Sequence, residues 1–150
     1  MAKKQLNPYV YTATLVRIID ADTLDCDIDL GFDVWIRKQR VRFLGIDTPE
    51  SRTRNLEEKA LGLAAKARVI ELIPEKFLLE TYKAKGKFGR ILGIPMTAKN
   101  QSVCAILIKE GHAREYFGGK KESWTWYSAS GVKWGLDMAI VDHGQFFSRE

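Results

Sequence analysis

Residues 23–30 alternate strictly between apolar and polar side chains, a pattern that leaves few choices for the fold of this region. The apolar positions are Leu24, Cys26, Ile28 and Leu30, and the polar positions between them are Asp25, Asp27 and Asp29. Successive side chains of a strand point to opposite faces, so the pattern predicts a half-buried strand. The aspartates imitate the start of a calcium-binding loop, but Leu30 and Ile36 stand where that loop needs a glycine and a glutamate. We therefore expect a solvated acidic strand face.

Further strands are predicted on both sides of this one. Residues 9–19 are mostly β-branched and aromatic, and the polar residues 20–23 end that strand in a turn. Residues 34–36 and 41–46 are predicted to form the returning strand or strands, with an irregularity at 37–40, and residues 77–82 and 90–96 form two more, which gives roughly five strands.

Two helices are predicted between and after these strands. Residues 56–73 form one that ends before Pro74, with helical spacing at Leu61, Ala64, Ala65, Arg68, Val69 and Leu72. Asn100 is expected to cap a second helix over residues 101–110, which Gly111 closes. One helix then lies between the third and fourth strands and one after the fifth. This order predicts a mainly β, α+β fold, a five-stranded OB-type barrel with two or three packed helices.

The composition limits the class of protein. A chain of 150 residues suits one domain, which we expect to span residues 1–150. Its 24 Lys and Arg against 19 Asp and Glu give a net charge of +5, which permits a polyanionic partner without requiring one. Cys26 and Cys104 form no CxxC pair, so free buried thiols are expected. With no apolar run of a signal peptide or membrane span, we expect a soluble, cytoplasmic protein without a membrane partner.

One short segment points to chemistry. Arg42 lies between two apolar strand residues, so its side chain faces away from theirs and is placed to reach into a cleft. Asp47 and Glu50 follow on either side of a Thr-Pro pair, whose restricted backbone lets both carboxylates point the same way. Such a corner can hold a hard cation or position a base.

Asp22 also lies at a strand end, and two strand ends can converge at one rim of a barrel. Asp22, Asp47 and Glu50 would then repel one another without a cation, and their oxygens suit Ca²⁺, Mg²⁺ or Mn²⁺ better than zinc. Arg42 and Arg90 supply guanidinium groups that match the charge of a phosphodiester in its transition state. Taken singly, each acid also fits a turn or surface role and each arginine a solvated strand role, so both interpretations stay open here.

Three segments together resemble the signature segments of the staphylococcal nuclease (thermonuclease) family in order and spacing. They are residues 19–23, 42–50 and 87–90, with the sequences IDADT, RFLGIDTPE and KFGR. Residues 107–113 are similar to the family's second helix and its exit. The resemblance covers about residues 12–116 and leaves residues 117–150 as a divergent C-terminal segment.

The resemblance implies a Ca²⁺-dependent endonuclease that cleaves DNA or RNA and leaves 3′-phosphates. Because the sequence has no base-reading motif, we expect little sequence specificity, and we expect a monomer. The resemblance implies that Asp22, Asp47 and the backbone carbonyl of Thr48 bind the metal. Glu50 is implied to act on the attacking water, and Arg42 and Arg90 to bind the scissile phosphate. Lys87 and Tyr116 are implied to contact the rest of the substrate. The chain departs from the family at Phe88, where a tyrosine is usual, and the family's second stacking tyrosine has no counterpart.

Two functions from different classes follow. The first is a metal-dependent nuclease, and the second is a catalytically inactive OB-type module that binds nucleic acid or protein. Inactive modules commonly lose one member of the catalytic set. All five charged side chains of the implied centre are present in this sequence, which favours the nuclease.

Overall fold

The computed structural model describes residues 7–83, 85 and 89–117, and within them it contains seven strands and two helices. In chain order these elements are β1 (Val10–Asp20), β2 (Thr23–Gly31), β3 (Val34–Phe43), β4 (Ile46–Asp47), α1 (Leu56–Leu72), β5 (Lys76–Thr81), β6 (Ile91–Pro95), α2 (Val103–Lys109) and β7 (Arg114–Glu115). The predicted Lys87 contact and the segment from residue 118 onward lie outside the described residues.

Five of the strands close into a barrel in the order β1-β2-β3-β6-β5. Every neighbouring pair runs antiparallel except β3 and β6, which run parallel and complete the ring. The predicted α+β fold, a five-stranded OB-type barrel with helices, is confirmed. The short strands β4 and β7 form a separate two-stranded sheet that the sequence did not predict.

The predicted irregularity at residues 37–40 is a bulge inside one strand. The pairing of β2 with β3 shifts between Cys26 and Ile28, and Lys38 has a φ of 49°. The side chain of Asp27 accepts the Lys38 backbone N–H at 2.8 Å, which satisfies the donor that the bulge turns out of the ladder. Residues 34–43 form one strand, and only the predicted end at residue 46 was wrong, because Gly45, with a φ of 81°, separates this strand from β4.

The alternation of β2 sets the core. Leu24, Cys26 and Ile28 are buried on its inner face, and both cysteines of the chain are free and buried, as predicted. The outer face is acidic but is not merely solvated. Asp25 accepts hydrogen bonds from Arg40, and these, together with the nearby Arg17, lower the pKa of the Asp25 carboxyl.

Helix α1 has an N-terminus capped by Asn55, whose side chain accepts two backbone N–H groups of the first turn. Its buried residues are Gly62, Ala65 and Val69. Of the residues noted for helical spacing, Ala64 is exposed, and Gly62 lies against a neighbouring loop. Within the described part of the chain no helix is long and apolar enough to cross a membrane.

Helix α2 begins later than predicted. Ser102, not Asn100, is its N-cap and accepts the Ala105 N–H at 3.1 Å, because Asn100 has a φ of 60° and lies in the preceding turn. The predicted glycine ending is confirmed. Gly111, with a φ of 86°, lets the His112 N–H reach the Leu107 carbonyl at 2.8 Å, closing the last turn.

Candidate active site

The hairpin of β1 and β2 places Asp22 beside Arg42. Asp22 lies in the tight turn between these strands, and Thr23, the first residue of β2, pairs with Arg42 of β3. The Phe43 N–H donates to the Asp22 carbonyl at 2.8 Å and fixes the turn against β3. Side chains from two separated segments therefore meet at the end of this hairpin.

The parallel pairing of β3 with β6 brings the second arginine to the same place. Val41 pairs with Ile91, so Arg90, directly before β6, lies next to the part of β3 that carries Arg42. The side chain of Arg42 faces away from the buried Val41 and Phe43, as the sequence predicted.

The small β4–β7 sheet places Asp47 opposite Arg114. Both side chains are buried, and Arg114 donates from Nε and Nη2 to Oδ2 of Asp47 at 3.2 and 3.0 Å. Sequence reasoning missed Arg114, because its role depends on a pairing of two-residue strands that are far apart in the chain. No local pattern reveals such a pairing.

These segments enclose an open cavity of about 320 Å³ at one rim of the barrel. Its lining residues are Asp20, Asp22, Thr23, Arg42, Asp47, Thr48, Glu50, Arg52 and Arg90. The structure thus brings together the residues that the sequence assigned to metal, water and phosphate. Tyr116 does not line the cavity; it is half-buried, and its N–H donates to the Gly45 carbonyl at 2.9 Å.

Arg42 links the two aspartates of the cavity. Its Nη1 lies 3.3 Å from Oδ2 of Asp22 and also donates to the Phe43 carbonyl at 3.1 Å, while its Nη2 lies 3.9 Å from Oδ1 of Asp47. Each carboxylate oxygen of Asp47 therefore faces a different guanidinium group, Arg42 on one side and Arg114 on the other. These contacts offset the repulsion that two neighbouring acids would otherwise experience.

The backbone of Glu50 is held by a hydrogen bond, whereas its side chain is exposed. Its N–H donates to Oε2 of Glu58 in the first turn of α1 at 3.0 Å. The next residue, Ser51, is buried, and its hydroxyl donates to the carboxylate of Asp20. Arg52, whose side chain is largely exposed, lies 3.5 Å from the same aspartate. Asp20, Thr23 and Arg52 were not among the predicted site residues.

A family model described as "Staphylococcal nuclease homologue" matches residues 40–128, more than half of the chain. The chain belongs to the staphylococcal nuclease homologue family. The matched range contains Arg42, Asp47, Glu50 and Arg90, but it begins after the β1–β2 hairpin that carries Asp22. No curated protein matches the chain.

Membership of the staphylococcal nuclease homologue family, together with the OB-type barrel, supports a nuclease or a nucleic-acid-binding module. The family generally uses Ca²⁺. Among residues 7–83, 85 and 89–117, no three His, Cys, Asp or Glu side chains are grouped to hold a metal ion. An ion at this rim would therefore need backbone or water oxygens besides the carboxylates of Asp22 and Asp47.

The donor set at the rim nevertheless fits a hard cation. The carboxylates of Asp22 and Asp47 line this cavity together with Thr48, and carboxylate and backbone carbonyl oxygens are the ligands that Ca²⁺ takes in proteins. The guanidinium of Arg42 already lies between the two carboxylates, so positive charge is accommodated at that position. The cavity is open, which leaves access for water and for a phosphate.

Proposed function

We propose that this protein is a metal-dependent endonuclease that hydrolyses phosphodiester bonds of DNA and RNA with little sequence specificity. The observation that carries the proposal is the convergence of Asp22, Asp47, Glu50, Arg42 and Arg90, from three separate segments, on the lining of one cavity. A fold selected for stability alone has no need to collect three acids and two arginines at one open rim. Phosphodiester hydrolysis has a use for each of them, the acids for a metal ion and an attacking water and the arginines for phosphate.

In this proposal Asp22, Asp47 and the Thr48 carbonyl hold Ca²⁺, and the same oxygen donors accept Mg²⁺ or Mn²⁺. When bound, the ion supplies positive charge that stabilises the developing charge on the phosphate. The pair formed by Asp47 and Arg114 keeps one carboxylate oxygen engaged away from Arg42.

The remaining side chains act on water and on the phosphate. Glu50, exposed at the rim, accepts a hydrogen bond from the attacking water and directs it at phosphorus. Arg42 and Arg90 donate to the nonbridging oxygens of the scissile phosphate, where planar guanidinium groups match the charge of the transition state. We assign substrate contacts to Lys87 and Tyr116 and expect 3′-phosphate products. These assignments follow the family resemblance.

The five residues of the proposed centre all belong to one chain, and we propose that the protein acts as a monomer. We also propose that residues 1–150 form a single domain of this type. A basic chain suits a polyanionic substrate, because exposed Lys and Arg side chains attract phosphates without regard to sequence.

The proposal is tested by incubating the purified protein with single-stranded DNA, double-stranded DNA and RNA, with Ca²⁺ and with excess chelator. Cleavage with Ca²⁺ and none with chelator is the expected result, and single-stranded or frayed regions should be cut first. Undiminished activity in chelator would overturn the metal requirement. Binding of DNA or RNA without cleavage in any divalent cation would replace the enzyme with an inactive binding module.

The roles of Glu50 and Arg90 are tested by Glu50→Gln, which removes a charge, and Arg90→Lys, which removes the planar fork. Both variants should bind oligonucleotide within a few-fold of the parent, because these groups act mainly in the transition state. Turnover should fall on the order of 10²-fold to 10⁴-fold. Arg54→Lys is the control, since Arg54 is exposed and does not line the cavity. Near-parent turnover of Glu50→Gln would remove the central residue of the mechanism.

A further inference from the structure

We infer that helix α1 positions Glu50 for catalysis through two residues outside the cavity lining, Gly62 and Glu58. This inference rests on the proposed function, in which Glu50 directs the attacking water. It assigns no contact with substrate to either residue; both act through the backbone of the segment that carries Glu50.

Position 62 requires a glycine because the Glu50–Ser51 backbone lies close to it, and not because of its backbone conformation. It lies inside α1, where φ is negative and any residue is allowed. A Cβ at this position would stand 2.5 Å from the carbonyl carbon of Glu50, 2.6 Å from its oxygen and 2.6 Å from the Ser51 nitrogen. These distances are far below van der Waals contact with backbone atoms that cannot rotate away. Any larger residue would push the Glu50–Ser51 peptide and α1 apart.

The presence of glycine in this helix therefore has a local reason. Glycine is a poor helix former compared with alanine, and α1 carries alanines on both sides of it, at Ala60 and Ala64. Packing of α1 on the barrel uses Ala65 and Val69, one and two turns further along. What Gly62 alone allows is contact between the helix backbone and the Glu50 peptide.

Glu58 provides the second contact from the same helix face. It precedes Gly62 by four residues, a separation that places the two positions one above the other on a helix. Its Oε2 accepts the Glu50 N–H at 3.0 Å. The helix turn that carries Glu58 is itself fixed by the Asn55 cap, which accepts the Glu58 N–H at 3.2 Å. The helix therefore fixes the position of Glu58, whose carboxylate accepts the Glu50 N–H.

The opposite side of the segment is tied to the barrel. The Ser51 hydroxyl donates to Asp20 at the end of β1, two residues before Asp22. The Glu50–Ser51 peptide is thus held between α1 and the turn that carries Asp22, while the Glu50 side chain extends exposed into the cavity. This arrangement fixes the starting point of the Glu50 side chain relative to the proposed metal ligands. A fixed backbone limits the positions that the Glu50 carboxylate can reach, which is one condition for positioning a water molecule.

The steric contact is tested with Gly62→Ala. We expect turnover to fall on the order of 10²-fold, since a displacement of about 1 Å in a catalytic group has that effect. The KM for oligonucleotide and the Ca²⁺ affinity by calorimetry should stay within a few-fold of the parent, because the phosphate and metal groups do not move. Ala64→Ser, which also adds one heavy atom but on the exposed face of α1, is the matched control and should leave turnover unchanged.

The hydrogen bond is tested without activity, by amide hydrogen exchange at Glu50. Glu58→Ala should raise the exchange rate of the Glu50 N–H roughly tenfold. Glu57→Ala is the control, because it removes the same charge from the first turn of α1, and Glu57 makes no hydrogen bond to Glu50. If Gly62→Ala does not fold, the turnover of Glu58→Ala is measured instead. We expect it to fall while the KM stays unchanged.

The outcomes separate the two claims. A parent protein that does not cleave nucleic acid overturns the proposed function and with it any catalytic role for this contact. A parent that cleaves, with Gly62→Ala or Glu58→Ala as fast as the parent, leaves the nuclease intact and overturns the positioning role. Equal Glu50 exchange rates in Glu58→Ala and Glu57→Ala also overturn it. The positioning role is also overturned if thermal unfolding of each variant shows that the loss of turnover simply follows a loss of folded protein.

Discussion

Replacing Arg114 with methionine should strongly destabilise the protein, because it leaves the carboxylate of Asp47 buried without its main partner. The two side chains are only 8% and 4% exposed, and two N–H groups of Arg114 donate to one oxygen of Asp47. Removing one member of a buried ion pair costs about 3–5 kcal/mol. Arg42 remains 3.9 Å from the other oxygen, so we expect a loss at the lower end, about 3 kcal/mol.

The chain offers a matched control for this substitution. Arg40 also donates from Nε and Nη2 to an aspartate, Asp25, at 2.8 and 3.0 Å, but its side chain is 48% exposed. Exposed ion pairs contribute only about 0–1 kcal/mol, since water solvates the separated charges. Arg40→Met should therefore cost at most a third as much as Arg114→Met, although Arg40 donates the same two N–H groups and reaches both oxygens of its aspartate, whereas Arg114 reaches one.

Urea unfolding of the parent and both variants measures these differences, with the midpoint shifting and the slope unchanged. A third variant separates charge from packing. Adding Asp47→Asn to Arg114→Met removes the buried charge as well, so the double variant should be more stable than Arg114→Met alone. A loss below about 1 kcal/mol for Arg114→Met would refute this account of the buried pair. So would a double variant no more stable than the single one.

Three further outcomes are expected. Cleavage should weaken as salt rises and show little sequence selectivity, because binding rests on phosphates; a discrete product ladder, unchanged from low to high salt, would contradict this. Burial raises the pKa of the Cys26 thiol to about 12, so a thiol reagent at neutral pH should modify it in urea but not in the native protein, as peptide mass analysis would show. Burial lowers the pKa of His112 below its ordinary 6.5, with Glu110 opposing and Arg68 adding to the effect. The unfolded chain then binds this proton more tightly, so stability should fall as pH drops below about 6.5, and His112→Gln should lose that slope in urea midpoints.

The parts of the fold and site that the sequence predicted are those set by short-range patterns. The alternation at Leu24, Cys26 and Ile28 determined which face of β2 is buried, and the same reasoning oriented Arg42 away from the core. The acids of the cavity lie at strand ends, where a polar residue after an apolar run marks the rim of a barrel. Their positions at strand ends made a meeting at one rim possible, and the family resemblance favoured it.

The features that the sequence did not predict depend on tertiary contacts. Nothing local distinguishes Gly62 from a tolerated glycine until the Glu50 peptide is seen against it. Arg114 becomes a partner of Asp47 only through the β4–β7 pairing. Asn100 and Ser102 are both good capping residues, and the choice between them was made by the left-handed backbone of Asn100.

The parallel pairing of β3 with β6 has a consequence for how the protein folds. It joins residues 41–43 to residues 91–93, which α1 and β5 separate in the chain. Such long-range pairing forms slowly, because the entropy of closing the loop is lost before the new contacts stabilise the structure. Arg42 lies on one of these strands, and Arg90 directly precedes the other. A nascent chain that has formed its first hairpin and helix would still lack the approach of Arg90 to Arg42. Under the proposed function, cleavage would therefore begin only once the barrel had closed.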